Sequence, residues 1–453
     1  MSVYHILAYL AIAYYLLLYS INMLHLLLGY KAAVHWRKMG YLEEAHRLSR
    51  SLIVPPLTLV ADLGSTGEDA VEWVDHVLSQ RFPQIEVLLL FHDQDDRRAK
   101  RLIRTYYLRR VDRVYRRMID APRPLEVYQS DDHRITMVRT EGAAGSDSLN
   151  LALNLARYPL FAVADSNPRL EEDSLLCLVR PFMEGERRVP AVMGVELPLD
   201  MEEEDLLPPR RITRFALMES LRVQLGYMLG APYVGGPEMA YGSLVLYRKK
   251  KLLAAGGFKP GLDTMGAEMN MTLRLHRLMY EQRSRYRFAF LPQLIAHRPF
   301  PLTWREHLRE YRERRREMSR ALRSESDMLF RPRYGRFGLL QLPFFWLFVS
   351  LASFVGFTAY ALIITLFILG LVGWPVLAAF LASSMLYPAM VGVGAVITAR
   401  RELGVLQGQG AVLYAYAFLT QLWFRQLTAL SPLFSSRRDR SVEVGGDVLR
   451  QQE

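Results

Sequence analysis

The sequence predicts a membrane-anchored α/β protein. A central domain with a mainly parallel sheet flanked by helices sits between N-terminal and C-terminal transmembrane helices. Three observations predict it. Hydrophobic residues make up 51% of the 453 and charged residues 23%, with a mean hydropathy of +0.04, so apolar and charged residues must be segregated along the chain. The apolar stretches near the two ends are long enough to cross a bilayer. Between them, short continuous apolar runs alternate with amphipathic stretches, as in sheets whose strands are buried on both faces.

In chain order, Val3–Gly29 is an apolar run with no basic residue before it and with Lys31, Arg37 and Lys38 after it. A secretory signal has the opposite charge order, so the run reads as a retained anchor with its C-terminal side in the cytoplasm. Strand signals follow at 52–60, 85–91, 135–138, 160–164 and 191–195, with helical signals at 70–78 and 146–156. Sheets of this kind bind ligands at the carboxyl ends of their strands. Arg97–Arg117 packs ten basic residues into 21 positions and reads as an amphipathic basic helix. Arg305–Arg323 is a second mixed helical run, either solvated or in contact with anionic lipid. From Gly338 the chain turns apolar through 339–372, 376–399 and 411–430, the last interrupted by Gln421, Arg425 and Gln426. These readings divide the chain into an anchor (1–30), an α/β domain (50–300), interfacial helices (301–337), membrane helices (338–432) and a polar tail (433–453).

The single cysteine, Cys177, excludes an intramolecular disulfide and a Cys-rich zinc site. A net charge of +11 suits an anionic membrane face or a phosphorylated substrate. No zinc finger, RNA-binding aromatic motif or basic zipper supports a nucleic-acid partner.

Four segments carry a resemblance. They are RYPLFAVADSNPRLEEDSLLCLVRPF (157–182), TMGAEMNMTLRLHRL (264–278), MLFRPRYGRFGLLQLPFF (328–345) and FRQLTAL (424–430). Together they resemble membrane-embedded family 2 glycosyltransferases, in particular the poly-N-acetylglucosamine synthase and exopolysaccharide synthase group. The resemblance implies a GT-A-like domain in the cytoplasm of a multi-pass inner-membrane protein. It implies a nucleotide-sugar donor, UDP-linked, and a divalent metal, Mg or Mn, that stabilises the departing diphosphate.

The family's Asp-x-Asp falls on Asp165-Ser166-Asn167, giving Asp165 and Asn167 as metal ligands with one carboxylate replaced by an amide. Its general base falls on Glu268 in Gly266-Ala267-Glu268, one methylene longer than the family's Asp. The donor-binding segments fall on His92 and Asp93, on Asp147 in the 143–150 segment, and on Asp165. After the first strand the matching segment, Pro55–Leu59, has no carboxylate. An alternative resemblance, to ceramide-type glucosyltransferases, touches only the 92–96 segment and the Asp165 segment. On the acceptor side Glu219 matches a family Glu. The Gln-x-x-Arg-Trp motif is replaced by Glu310-Tyr311-Arg312-Glu313-Arg314, where Arg312 is the candidate for the family's Arg. The bland alternatives are a strand-end Asp165, a surface Glu268 at a helix start and a solvated turn at 92–96.

Because the chemistry-bearing positions depart while the scaffold persists, two functions follow. One is a membrane glycosyltransferase making a polysaccharide or glycolipid, with a weakly bound metal. The other is an inactive relative that scaffolds or regulates an active synthase or another exopolysaccharide-assembly subunit. Both place the protein among membrane lipids.

Overall fold

The computed structural model describes residues 3–40, 51, 53–63, 69–92, 97–140, 145–165, 169–184, 189–199, 207–235, 242–299 and 301–430. Of the expected anchor and membrane segments, residues 3–30 and 338–430 fall within these ranges, whereas the tail, Asp93 and Asn167 lie outside the described residues. Among the described residues, ten strands form one sheet. They are β1 Leu57–Asp62, β2 Ile85–Phe91, β3 Arg109–Arg110, β4 Pro124–Gln129, β5 Ile135–Thr140, β6 Leu160–Ala164, β7 Arg169–Leu170, β8 Ala191–Leu197, β9 Leu244–Arg248 and β10 Ala289–His297. Their order is β3-β4-β5-β2-β1-β6-β9-β8-β10-β7.

Every residue of β2, β6 and β8 is buried, which is why these strands are continuous apolar runs. Side chains alternate between two layers. Leu59, Val87, Leu89 and Ala162 face the helices Ala70–Leu78, Arg97–Thr105 and Ser174–Met183. Val60, Leu88, Leu90 and Val163 face Ser146–Leu155, Arg211–Val223 and Thr264–Glu281.

Two expectations are corrected. The sheet is mixed, with a parallel centre β5-β2-β1-β6 and a parallel β8-β10 pair, joined by β9 running antiparallel to both β6 and β8. Burial on both faces makes a strand continuously apolar whichever way it runs, so the runs carried no direction. The basic run Arg97–Arg117 is helical only over Arg97–Thr105. Tyr107 takes a left-handed conformation, φ 52°, and the Leu108 amide closes back on the Ile103 carbonyl at 3.0 Å, a Schellman-type stop. Arg109 and Arg110 then pair with β4.

The second mixed run is one helix, Trp304–Ser324, started by a capping box between Thr303 and Glu306. Its buried Met318, Ala321 and Leu322 pack on Met269 and Leu273 of Thr264–Glu281. Among the described residues, two helices are long and apolar enough to cross a membrane, Val3–Lys38 and Trp374–Leu403. They do not stand apart from the α/β domain. Ala33, Ala395 and Val396 share a core cluster with β6 and β8. Gly230, just after the helical segment that follows Arg211–Val223, lies so close to the N-terminal helix that a Cβ there would sit 2.0 Å from the His25 carbonyl oxygen.

Candidate active site

The described candidate residues, Arg312 excepted, gather at the carboxyl ends of the parallel strands and in a cavity beside them. At the ends of β1, β2 and β5, the His92 ring lies between two partners. Its Nε2 is 2.8 Å from both Asp62 oxygens and its Nδ1 is 2.9 Å from the Thr140 hydroxyl. The ring thereby links the carboxylate at the end of β1 to the hydroxyl at the end of β5. His92 is therefore built into a constellation, not part of a solvated turn. Asp62 also corrects the reading of the first strand. β1 runs on to Asp62, so the residues at its carboxyl end are not Pro55–Leu59, and a carboxylate is present there.

Asp165 follows β6 and is exposed. Its amide donates to the Ser243 carbonyl at 2.9 Å. Ser243 in turn binds Glu196 on β8: its amide donates to Oε1 at 2.5 Å and its hydroxyl to Oε2 at 2.8 Å. Gly242 is held against the same carboxylate, where a Cβ would lie 2.3 Å from Oε1.

Glu268 is on the first turns of Thr264–Glu281, whose N-terminus is capped by Asp263 accepting from the Gly266 amide at 2.6 Å. It is not a surface residue, being 2% exposed. Among the described residues its Oε1 has no hydrogen-bond partner. Burial raises its carboxyl well above the ordinary range, and the charges of Glu196 and Asp165 push it further. Glu196 is itself raised by burial, against the opposing pull of Arg298 and of its hydrogen bonds to Ser243. The sheet and one helix thus bring Asp165, Glu196 and Glu268 into a single electrostatic unit.

Asp147 is half-buried in the first turn of Ser146–Leu155. That turn is tied to the loop before Glu268's helix by the Ser146 amide on the Leu262 carbonyl at 2.9 Å. Asn150, from the same segment, clamps the backbone of Phe258 with two 2.7 Å hydrogen bonds, a structural role.

The cavity, of about 340 Å³, begins at Glu196 and Gly242 and runs between the domain and the apolar helices, reaching Leu18, Phe348 and Arg425. Glu219 lines it and is paired with Arg222 through hydrogen bonds of 3.0 and 2.5 Å. Burial alone would raise its carboxyl, but Arg222 first, then Arg425 and His307, hold it down at about 2. From Trp304–Ser324 the lining takes Glu310, Tyr311, Arg314 and Arg315. Arg312 does not line the cavity, and its Nε donates to the Leu308 carbonyl of its own helix at 3.2 Å. Nor is Glu310 a bare repulsive charge, since Arg298 and Arg314 donate to its Oε1 at 2.9 and 2.6 Å. His307 stays below the ordinary imidazole range through burial, which outweighs Glu310 and Glu219.

Sequence reasoning missed Asp62, Glu196 and Arg298. A charged residue inside the apolar run of β8 was the available signal for Glu196.

The family model described as glycosyl transferase family group 2 matches residues 160–395, just over half of the 453-residue chain. The match takes in Asp165, Glu196, Glu219, Glu268 and Glu310. No curated protein matches the chain. Among solved structures it is similar to the mannosyltransferase PcManGT from Pyrobaculum calidifontis in complex with GDP-Man and Mn2+. Identity is 15%, coverage is 90% of this chain and 99% of that one, and the TM-score is 0.49. A glucosyl-3-phosphoglycerate synthase from Mycobacterium tuberculosis is 16% identical over 64% of this chain and 82% of that one, with a TM-score of 0.36. Residues 1–349 of TarS from S. aureus are 11% identical over 82% and 91%, with a TM-score of 0.34.

Proposed function

Because this chain belongs to the glycosyl transferase family group 2, we propose that it is a membrane-anchored glycosyltransferase with a GT-A-like domain. It takes a sugar from a nucleotide-sugar bound at the strand ends and passes it to an acceptor in the adjoining cavity. The observation that carries the reading is the convergence of Asp165, Glu196 and Glu268 where the sheet's carboxyl edge meets that cavity.

In this reading the donor nucleotide lies over the Asp62–His92–Thr140 constellation and near Asp147. Glu268 takes the proton of the acceptor hydroxyl. Burial favours the protonated form of Glu268, and Glu196 adds to this. The carboxylate becomes a base only when positive charge enters the site beside it, which ties proton removal to donor binding. Asp165 is an exposed carboxylate, the oxygen donor that hard cations take. Among the described residues no three His, Cys, Asp or Glu side chains form a metal cluster. One protein carboxylate plus substrate phosphates is then the fitting ligand set, with Asn167 as a further amide donor. A divalent cation held there would stabilise the charge of the leaving diphosphate.

The two long apolar helices and the basic flank of the first support an inner-membrane location with the domain in the cytoplasm. A product class of polysaccharide or glycolipid follows from that placement. The seal over Glu268 favours a second reading, in which the protein is silent and supports an active synthase. Calorimetric titration of the detergent-purified protein with UDP, with and without Mn2+, separates the two. Metal-dependent micromolar binding is expected, and no binding at millimolar UDP would sink the UDP-sugar reading.

A further inference from the structure

Toward its carboxyl end β8 loses one neighbour. β9 pairs with it only at Ala191 and Val192, while β8 runs on to Leu197. Buried backbone groups past that point need other partners. At Glu196 they find Gln224, whose side-chain amide acts as a neighbouring peptide unit would. Its Oε1 accepts from the Glu196 amide at 2.7 Å, and its Nε2 donates to the Glu196 carbonyl. Nε2 also donates to the Ser220 hydroxyl at 2.8 Å, and that hydroxyl donates to the same carbonyl at 3.3 Å. Gln224 opens the π-helical turn Gln224–Met228, which follows Arg211–Val223 without a break. Single turns of this kind recur at functional sites, and this one lines the cavity.

The side chain of Glu196 then reaches across to β9. Its Oε1 accepts from the Ser243 amide at 2.5 Å and from the Leu244 amide at 3.3 Å, and its Oε2 accepts from the Ser243 hydroxyl at 2.8 Å. One carboxylate thus takes the place of the carbonyls that a continuing ladder would offer. The Ser243 carbonyl carries the next link, accepting from the Asp165 amide at 2.9 Å. β6 pairs with β1 no further than Ala164, so this rung is the one that continues the sheet to Asp165. Gln224, Glu196, Ser243 and Asp165 therefore form an unbroken series of hydrogen bonds. Its first three members are only 9%, 5% and 2% exposed, which leaves water little room to replace a lost link.

We propose that Gln224 and Glu196 are positioning residues for Asp165. The Gln224 amide fixes the end of β8, the Glu196 carboxylate fixes the Gly242–Ser243 turn, and that turn sets where the Asp165 carboxylate meets the donor's divalent cation. The inference rests on reading Asp165 as a cation ligand. Outer partners that orient a metal ligand commonly contribute roughly 10- to 100-fold to metal affinity. Two competing roles make different demands. A strut of the sheet alone would support nucleotide binding with and without metal alike. A carboxylate acting on the cation through its charge would be disabled by amidation as fully as by truncation.

The test is calorimetric titration of the full-length protein with UDP in a neutral detergent, with and without Mn2+. The quantity read is the tightening of UDP binding that Mn2+ brings. Gln224→Met keeps the volume and removes both bonds to Glu196, and Glu196→Ala removes the bridge to Ser243. Each is expected to cut the tightening about tenfold while metal-free UDP affinity stays as in the parent. Glu196→Gln retains an acceptor oxygen for the Ser243 amide and is expected to keep most of the tightening. Ser243→Ala, the mildest change, should show a smaller loss of the same kind. In an Asp165→Ala background Gln224→Met should cost nothing further. Equal loss with and without Mn2+ overturns the proposal in favour of a strut. Equal loss in Glu196→Gln and Glu196→Ala overturns it in favour of charge, and undiminished tightening in Gln224→Met and Glu196→Ala overturns it outright. Hydrogen exchange at the Asp165 amide, measured without ligand, reads the last link directly. Faster exchange in Gln224→Met and Glu196→Ala is expected, and unchanged exchange in both overturns the proposal. A parent that binds UDP without responding to Mn2+ removes this inference and leaves nucleotide binding intact. A parent that binds no UDP sinks the UDP-sugar reading itself.

Discussion

The guanidinium of Arg425 donates a hydrogen bond to the hydroxyl of Tyr19, 406 residues earlier, and its central carbon lies 5.5 Å from the Tyr19 ring centroid. One residue thereby ties the last helix to the first and also helps neutralise Glu219 on the domain side of the cavity. Replacing Arg425 by Ala removes a charged hydrogen bond and leaves Glu219 with Arg222 as its main cation. The expected loss is about 2 kcal/mol. Tyr19→Phe keeps the ring and loses only the hydroxyl, with an expected loss of about 1 kcal/mol. Thermal unfolding in detergent reads both, and equal melting temperatures for Arg425→Ala and the parent would refute the tie.

Glu268→Gln imitates the protonated carboxyl that burial already favours, so the fold should tolerate it. Sugar transfer should fall by roughly 10²- to 10⁴-fold, the usual contribution of a positioned base, while UDP affinity stays unchanged. Single-turnover assays with a radiolabelled UDP-sugar would measure the first and calorimetry the second. Retained transfer in this variant would assign the base elsewhere.

Glu317 lies between Trp304–Ser324 and the start of Glu268's helix, where a Cβ at Gly266 would meet its Oε2 at 2.4 Å. Burial first, then the neighbouring Asp263, raise its carboxyl from the ordinary 4.5 to about 7, against the pull of Arg320. The folded chain therefore holds this proton more tightly than the unfolded chain. The group's contribution to stability is complete below the ordinary value and disappears as the pH rises through about 7. The melting temperature should decline between pH 5 and pH 8, and Glu317→Gln should flatten that decline. An unchanged slope in the variant would place the titration on another group.

Gly230→Ala tests the close approach of the first helix. The new methyl would meet backbone at His25, which cannot rotate away as a side chain could. Overpacking of this kind costs about 1–3 kcal/mol. Limited proteolysis should find the N-terminal helix released at a lower temperature than in the parent. A variant as resistant as the parent would show that the contact yields easily.

Much of the sheet was legible because burial on both faces writes itself as uninterrupted apolar residues, as in Ile85–Phe91 and Leu160–Ala164. Direction was not legible, since β9 reads like its parallel neighbours. Glu268 was found by its segment, but its burial depends on Glu196 and Gly242, which arrive from distant parts of the chain. Asp62 was overlooked because the strand signal was ended at residue 60, short of Asp62. Arg312 was chosen by alignment, whereas the helical turn aims Arg314 and Arg315 of that helix at the cavity. Side-chain direction on a helix depends on what packs beneath it, here Met269 and Leu273 under Met318 and Ala321, and a single sequence does not state that partner.

The walls of the cavity range from Leu18 to Thr428, which has a consequence for biosynthesis. A ribosome delivers the first helix long before the residues that complete the compartment. The α/β sheet, closed by residue 297, can be finished while the cavity is still open on one side. The nascent protein thus passes through a stage with an assembled sheet and an incomplete cavity, and a premature stop upstream of Arg425 would trap it there.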